Sequence, residues 1–198
     1  FEGDLPFGAM SSCMPGLNLD EVVTHMARTG AQEVELSAID VSGLRAADES
    51  DHVAAHLPIE DFKNDQRGTA ERVATLFNDS GLGMTIGNYD RQISGNPAEE
   101  EKALDYTLQC IDFASALGGK QGGAYGVNVG IFWGWDREKG TPENLNNISE
   151  KVYVLARYAE DRGVTLTTEN CHMPGGWGPE NDADLPAANL RSGASTLA

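Results

Sequence analysis

Basic side chains are scarce in this chain. Lys and Arg number 14 against 31 Asp and Glu, a formal charge of -17 over 198 residues. A surface so acidic repels a phosphate backbone instead of recruiting it by counterion release, so no nucleic acid partner is expected. Cysteine is scarcer still: Cys13, Cys110 and Cys171 are odd in number, far apart and in no CxxC arrangement. That argues against a disulfide framework or a zinc knuckle and for reduced thiols, as in a cytoplasmic protein. No apolar run approaches the roughly 20 residues that a membrane-crossing helix needs, and FEGDLPFGAM lacks the basic start and apolar middle of a signal peptide. No membrane association is expected. Several motifs are also missing. Without GxGxxG after the first strand, a P-loop or GxSxG, the sequence argues against a dinucleotide fold, nucleotide hydrolysis and α/β-hydrolase chemistry.

What is present is a strict alternation of strand and helix patterns. Phe7 to Ser11 reads as a first strand, and Cys13-Met14-Pro15-Gly16 as the loop leaving it. Asn18 and Glu21 form a capping pair ahead of the stripe Leu19, Val22, Val23, Met26, which Gly30 ends. Glu33 to Leu36 is the second strand, with Glu35 near its end. From Ser37 to Gln66 the pattern loosens into an acidic excursion with a helical turn around Ser50 to Ala55. A helix resumes at Thr69 and stops at Gly81. Leu82 to Gly87 is the third strand, with Asn88, Tyr89, Asp90 and Arg91 as its exit loop. Asn96 and Pro97 open a long helix that Gly118-Gly119 terminates. Val127 to Phe132 follows as a fourth strand. Thr141-Pro142 starts the last helix, whose stripe Val152, Leu155, Ala156, Ala159 precedes Gly163 and a fifth strand, Val164 to Thr168.

Such alternation implies parallel pairing through right-handed crossovers, in a doubly wound sheet or a (β/α)8 barrel. The missing dinucleotide fingerprint favours an α/β fold of the TIM (β/α)8 barrel type. About five of its eight units are present, over 1–178, with an irregular tail at 179–198. Either fold gathers the C-terminal ends of its strands at one rim, where the chemistry of α/β folds resides. Glu169, just past the fifth strand, is the first candidate for catalysis. Glu35, Asn88, Asp90, Asp136 and His172 join it as rim residues, and Trp133, Trp135 and Trp177 offer apolar walls for a small molecule. Convergent carboxylates and a His hold a divalent cation or act as acid and base about a carbonyl. Each has an ordinary structural alternative: a carboxylate pairs across a rim, and His172 stabilises a loop. DHVAAHL places His52 and His56 four apart but lacks the Glu of HExxH, a weak metal signal.

Three segments carry a resemblance: MSSCMPGLNLDEVVTHMARTGAQEVEL, then GLGMTIGNYDRQISGNPAEEEKALDYTLQCIDFASALGG, then ENLNNISEKVYVLARYAEDRGVTLTTENCHMP. Their order resembles the xylose isomerase-like TIM barrels, in particular the sugar phosphate isomerase/epimerase group. The helix ending AEDRGV and the strand ending EN carry it most specifically. The resemblance implies a sugar isomerase or epimerase of carbohydrate metabolism, with a sugar substrate and a divalent metal (Mn2+, Mg2+ or Zn2+) at the rim. Glu169 matches the fifth-strand ligand and proton-transfer group of such enzymes, and Glu35, Asn88, Trp133 and His172 would then contact substrate. The ligands from later strands have no match, as expected of a truncated chain. An inosose dehydratase-like lyase, an apurinic-site endonuclease of the same barrel and an inactive fragment are the alternatives; a homo-oligomer is compatible with all of them.

Overall fold

The elements follow from local chemistry. In the computed structural model, which describes residues 7–38, 55–88, 97–121, 128–131 and 141–168, strand β1 spans Gly8–Met10 and leads into a 3-10 turn at Ser11–Cys13. Helix α1, Leu19–Thr29, begins with the anticipated capping box, in which Asn18 accepts from the Glu21 N–H and Glu21 accepts from the Asn18 N–H. It ends at Gly30 with φ 77, a left-handed conformation that costs glycine little. Strand β2 is Glu33–Ala38, helix α2 Ile59–Asn64, helix α3 Gln66–Ser80 and strand β3 Gly83–Asn88. Helix α4, Pro97–Ala116, strand β4, Asn128–Ile131, helix α5, Thr141–Asp161, and strand β5, Thr165–Thr168, complete the order.

The five strands pair in parallel in the order β1-β2-β3-β4-β5. A doubly wound sheet reverses its strand order part-way and covers both faces with helices. Here the order runs one way, so the crossovers lay the helices on one side. The fold is a partial TIM barrel with an open parallel sheet. The layer between sheet and helices is the core. Val34, Leu36, Ile86 and Val129 on the strands meet Val22, Val23, Val73, Phe77, Ile111 and Leu155 on the helices, all buried. Phe62 of α2 stacks on Phe113 of α4, ring centroids 4.4 Å apart. Each such side chain contributes about 1.5–3 kcal/mol on burial, so the outer face is where stability is concentrated.

Several boundaries differ from those expected. Strand β2 continues past Leu36 to Ala38, which leaves Glu35 in mid-strand. Asn88 is the last residue of β3, not part of an exit loop. Helix α2 occupies part of the stretch read as an excursion, because Ile59 and Phe62 bury one face of a helix only six residues long. Helix α3 begins at Gln66, ahead of Thr69, with Asp65 accepting from the Gly68 N–H at 2.9 Å. The turn expected from Ser50 to Ala55 falls mostly outside the described residues, as does the tail at 179–198.

Candidate functional site

Alternation along parallel strands sends successive side chains to opposite faces. With Val34, Leu36, Met84 and Ile86 packed toward the helices, Glu33, Glu35 and Thr85 point to the inner face and are half-buried. Register aligns Gly8 with Glu33 and Gly83, and Met10 with Glu35 and Thr85. A hollow of about 340 Å³ lies over this part of the face, lined by Gly8, Met10, Gln32, Glu33, Glu35 and Thr85. A Cβ at Gly8 would come within 2.7 Å of the Glu33 carbonyl oxygen, so glycine is what lets β1 approach β2 here. The Thr85 hydroxyl donates to the Glu33 carboxylate across the strands. The inner face thus carries oxygen acceptors and small residues where a closed barrel packs bulky branched ones.

At the C-terminal end of β2 the polar chemistry becomes buried. The Ser37 N–H donates to Ser11 Oγ at 2.8 Å, and the two hydroxyl oxygens are 3.2 Å apart. Ser37 Oγ lies 3.3 Å from His56 Nδ1, and His56 Nε2 lies 2.8 Å from the Leu17 carbonyl oxygen. A carbonyl only accepts, so Nε2 donates to Leu17, and Nδ1 shares a hydrogen bond with the Ser37 hydroxyl. Ser11 and Ser37 are fully buried and His56 nearly so. The His52–His56 pair, already a weak metal signal in the sequence, gains no support here. Both His56 nitrogens have protein partners, and His52 lies outside the described residues.

Asn88 is 2% exposed, and its amide Nδ2 donates to Thr107 Oγ1 of α4 at 2.8 Å. The Thr107 hydroxyl itself donates to the Ala103 carbonyl at 2.7 Å, which fixes the orientation of the Asn88 amide. The side chain that sequence assigned to substrate is therefore turned toward the helices, and among the described residues its buried Oδ1 has no hydrogen-bond partner. Glu35 is on the open face, as a substrate-facing residue needs. Glu169, Trp133, His172, Asp90, Asp136, Trp135 and Trp177 lie outside the described residues. Among the described residues no group of three or more His, Cys, Asp or Glu is arranged to hold a metal ion. Glu33 and Glu35 are hard oxygen donors but too few for a divalent cation, and Glu33 already accepts from Thr85. The described part of the chain therefore does not complete a metal site.

Sequence reasoning missed Ser11, Ser37 and His56 as a group. Their signal was a polar Ser37 in the register of Glu33 and Glu35 and a polar residue before Leu57-Pro58, neither of which reveals a contact across 26 and 19 positions.

Residues 23–184 match the family described as the xylose isomerase-like TIM barrel. The chain belongs to that family. No curated protein matches the sequence. Among solved structures, a D-tagatose 3-epimerase-like protein is 17% identical with a TM-score of 0.58, over 93% of this chain and 62% of its own. D-psicose 3-epimerase from Clostridium cellulolyticum H10, in a complex with D-tagatose, is 12% identical with a TM-score of 0.54, over 82% of this chain and 51% of its own. A xylose isomerase-like TIM barrel protein from Mycobacterium smegmatis, in complex with magnesium, is 17% identical with a TM-score of 0.50, over 82% of this chain and 54% of its own. At these identities the likeness is one of fold. The chain spans about half the length of the epimerases it matches. Like other xylose isomerase-like chains it builds successive βα units around one inner face, and among the described residues no helix is long and apolar enough to cross a membrane.

Proposed function

We propose that this xylose isomerase-like chain belongs to a sugar or sugar phosphate isomerase/epimerase. The observation that carries the reading is the inner face of a singly wound sheet lined by Glu35, Glu33 and Thr85 beside glycines, in a fold whose closed interior is ordinarily apolar. A polyhydroxylated substrate needs such acceptors, and a carbonyl-adjacent proton needs a carboxylate to receive it. In this reading Glu169 is the proton-transfer carboxylate. What supports this is that Thr165 and Thr167 of β5, the strand that leads to it, share the face that holds Glu35.

Glu169 takes the proton from the carbon next to the carbonyl, leaving an enediolate. Protonation of the opposite face by a second acid inverts that carbon, and return of the proton by Glu169 to the neighbouring carbon isomerises the sugar. Glu35 orients hydroxyls from below, while Trp133 and His172 supply a wall and a polar contact at the rim. Asn88 serves from behind, fixing the end of β3 to α4 through Thr107. A divalent cation, Mn2+, Mg2+ or Zn2+, enters this proposal through Glu169 as a ligand, and the magnesium complex of the Mycobacterium smegmatis relative supports it. Because the described residues do not complete a ligand set, no step is routed through the metal.

The test is a panel of ketoses incubated with the protein in D2O, beside a manganese titration followed by thermal unfolding. The expected outcome is deuterium at the carbon next to the carbonyl and a metal-dependent rise in melting temperature, both lost in Glu169→Gln. Equal deuterium incorporation in wild type and variant removes Glu169 from its role.

A further inference from the structure

The buried chain Ser11–Ser37–His56–Leu17 joins three separate pieces of backbone at one point of the rim. It meets the turn leaving β1 at Ser11, the end of β2 at Ser37, and the segment leading into α2 at His56. The ring then reaches over to the Leu17 carbonyl, just ahead of the α1 cap. The main chain is fastened at the same place: the N–H groups of His56 and Leu57 both donate to the Ser37 carbonyl at 3.0 Å. Between Ser11 and Leu17 the backbone makes few bonds of its own, Met14 N–H to Ser11 O at 2.9 Å and Leu17 N–H to Met14 O at 3.1 Å. Helix α1 fixes the far end of this loop and β1 the near end. The ring of His56 ties its Leu17 side to the mouth of β2.

We infer that His56 is a positioning residue for the rim: through Leu17 and Ser37 it holds the β1–α1 loop in place beside the Glu35 hollow. The inference rests on the proposed function for its catalytic consequence, not for the latch itself. An apolar side chain of similar bulk fills the space but offers nothing to the Leu17 carbonyl or the Ser37 hydroxyl. Two buried polar groups then lose partners, and the loop is released from the rim. Gln is long enough to return an N–H to Leu17, so it separates hydrogen bonding from packing.

The experiment is residue-resolved amide hydrogen exchange on the whole protein and on His56→Leu, His56→Gln and Ser37→Ala. The expected result in His56→Leu is about tenfold or more faster exchange at Met14 and Leu17, with the amides of Ile86 and Ile111 in the core unchanged. Recovery of most of the protection is expected in His56→Gln, and an intermediate effect in Ser37→Ala. With a ketose that the wild type turns over, His56→Leu is expected to raise KM several-fold and leave kcat within about twofold, because the loop shapes binding and not proton transfer. Faster exchange at all four amides together would show an ordinary core residue and overturn the inference. So would unchanged exchange at Met14 and Leu17. Absence of turnover in the wild type would instead count against the proposed function, and the exchange pattern would still decide the latch.

Discussion

Tyr158 shows how a single side chain on the outer layer couples two helices and makes stability depend on pH. Its hydroxyl oxygen lies 3.0 Å from each Asp112 oxygen, so α5 donates to α4, and the Arg162 guanidinium sits 3.2 Å over its ring. Desolvation first, then the bond to Asp112 and the charge of Asp112, raise the phenol above its ordinary value; Arg162 opposes them. The sign follows from proton binding: as pH passes about 10 the unfolded chain gives up the phenol proton before the folded one does, and stability falls. Lys151, held below its usual value by desolvation, works in the other direction and is common to both proteins compared. Tyr158→Phe is expected to lose about 1 kcal/mol at neutral pH, the net worth of one hydrogen bond. The gap to wild type should narrow above pH 10, and urea unfolding at pH 8 and pH 10.5 checks it. A gap that widened with pH would show that the bond to Asp112 is not what matters at Tyr158.

The elements divide by whether their information is local. Helix α1 was legible to the residue because every determinant lies within it: the Asn18–Glu21 box, the 0, 3, 4, 7 apolar stripe and Gly30 in a left-handed conformation. Asn18→Ala is expected to cost about 1 kcal/mol in a chemical denaturation curve. A loss near zero would mean that packing of Val22, Val23 and Met26 alone holds the first turn. Helix α2 was not legible, because six residues cannot display a period and its stability comes from Phe62 stacking on Phe113, 51 positions away in sequence. Strand ends suffered similarly. Ser37, Ala38 and Asn88 belong to β2 and β3 because neighbouring strands extend their ladders, in the pairs Ser37 with Gly87 and Ala38 with Asn88. Asn88 looked like a loop residue by composition; the ladder partner Ala38 and Thr107 on α4 explain its place. Glu35 was read near a strand end because the extension of β2 to Ala38 depends on its neighbour β3, and the contact of His56 with Ser37 and Leu17 is likewise tertiary.

For the molecule as a whole, charge and topology make separate statements. The topology makes the chain a xylose isomerase-like partial barrel. The charge of -17 says nothing about that fold but predicts its response to salt. Among the described residues most ion pairs are exposed, as with Arg72 and Asp61 between α3 and α2 or Arg157 and Glu160 within α5, so screening them costs little. Screening the general repulsion gains more, since the Debye length shrinks from about 10 Å at 0.1 M to about 3 Å at 1 M salt. The melting temperature is expected to rise by several degrees between low and high sodium chloride, as read by circular dichroism. A fall would show that the pairs outweigh the repulsion.

One contact on the lower side of the sheet works as a height gauge for the upper side. Gly119, with φ +50, lies so close to Gly163 that a Cβ on it would come within 2.5 Å of the Gly163 carbonyl oxygen, and the neighbouring Lys120 N–H donates to that same oxygen at 2.8 Å. The turn after α4 therefore seats the turn after α5, and β5 starts two residues above that seat. From there each residue climbs about 3.3 Å and reverses its facing. The elevation and the facing of Thr168 are thus counted from a glycine pair at the opposite end of the strand. A single residue inserted between Gly163 and Thr168 would leave the floor seated, yet would lift Thr168 by one step and turn it from the helices toward the inner face.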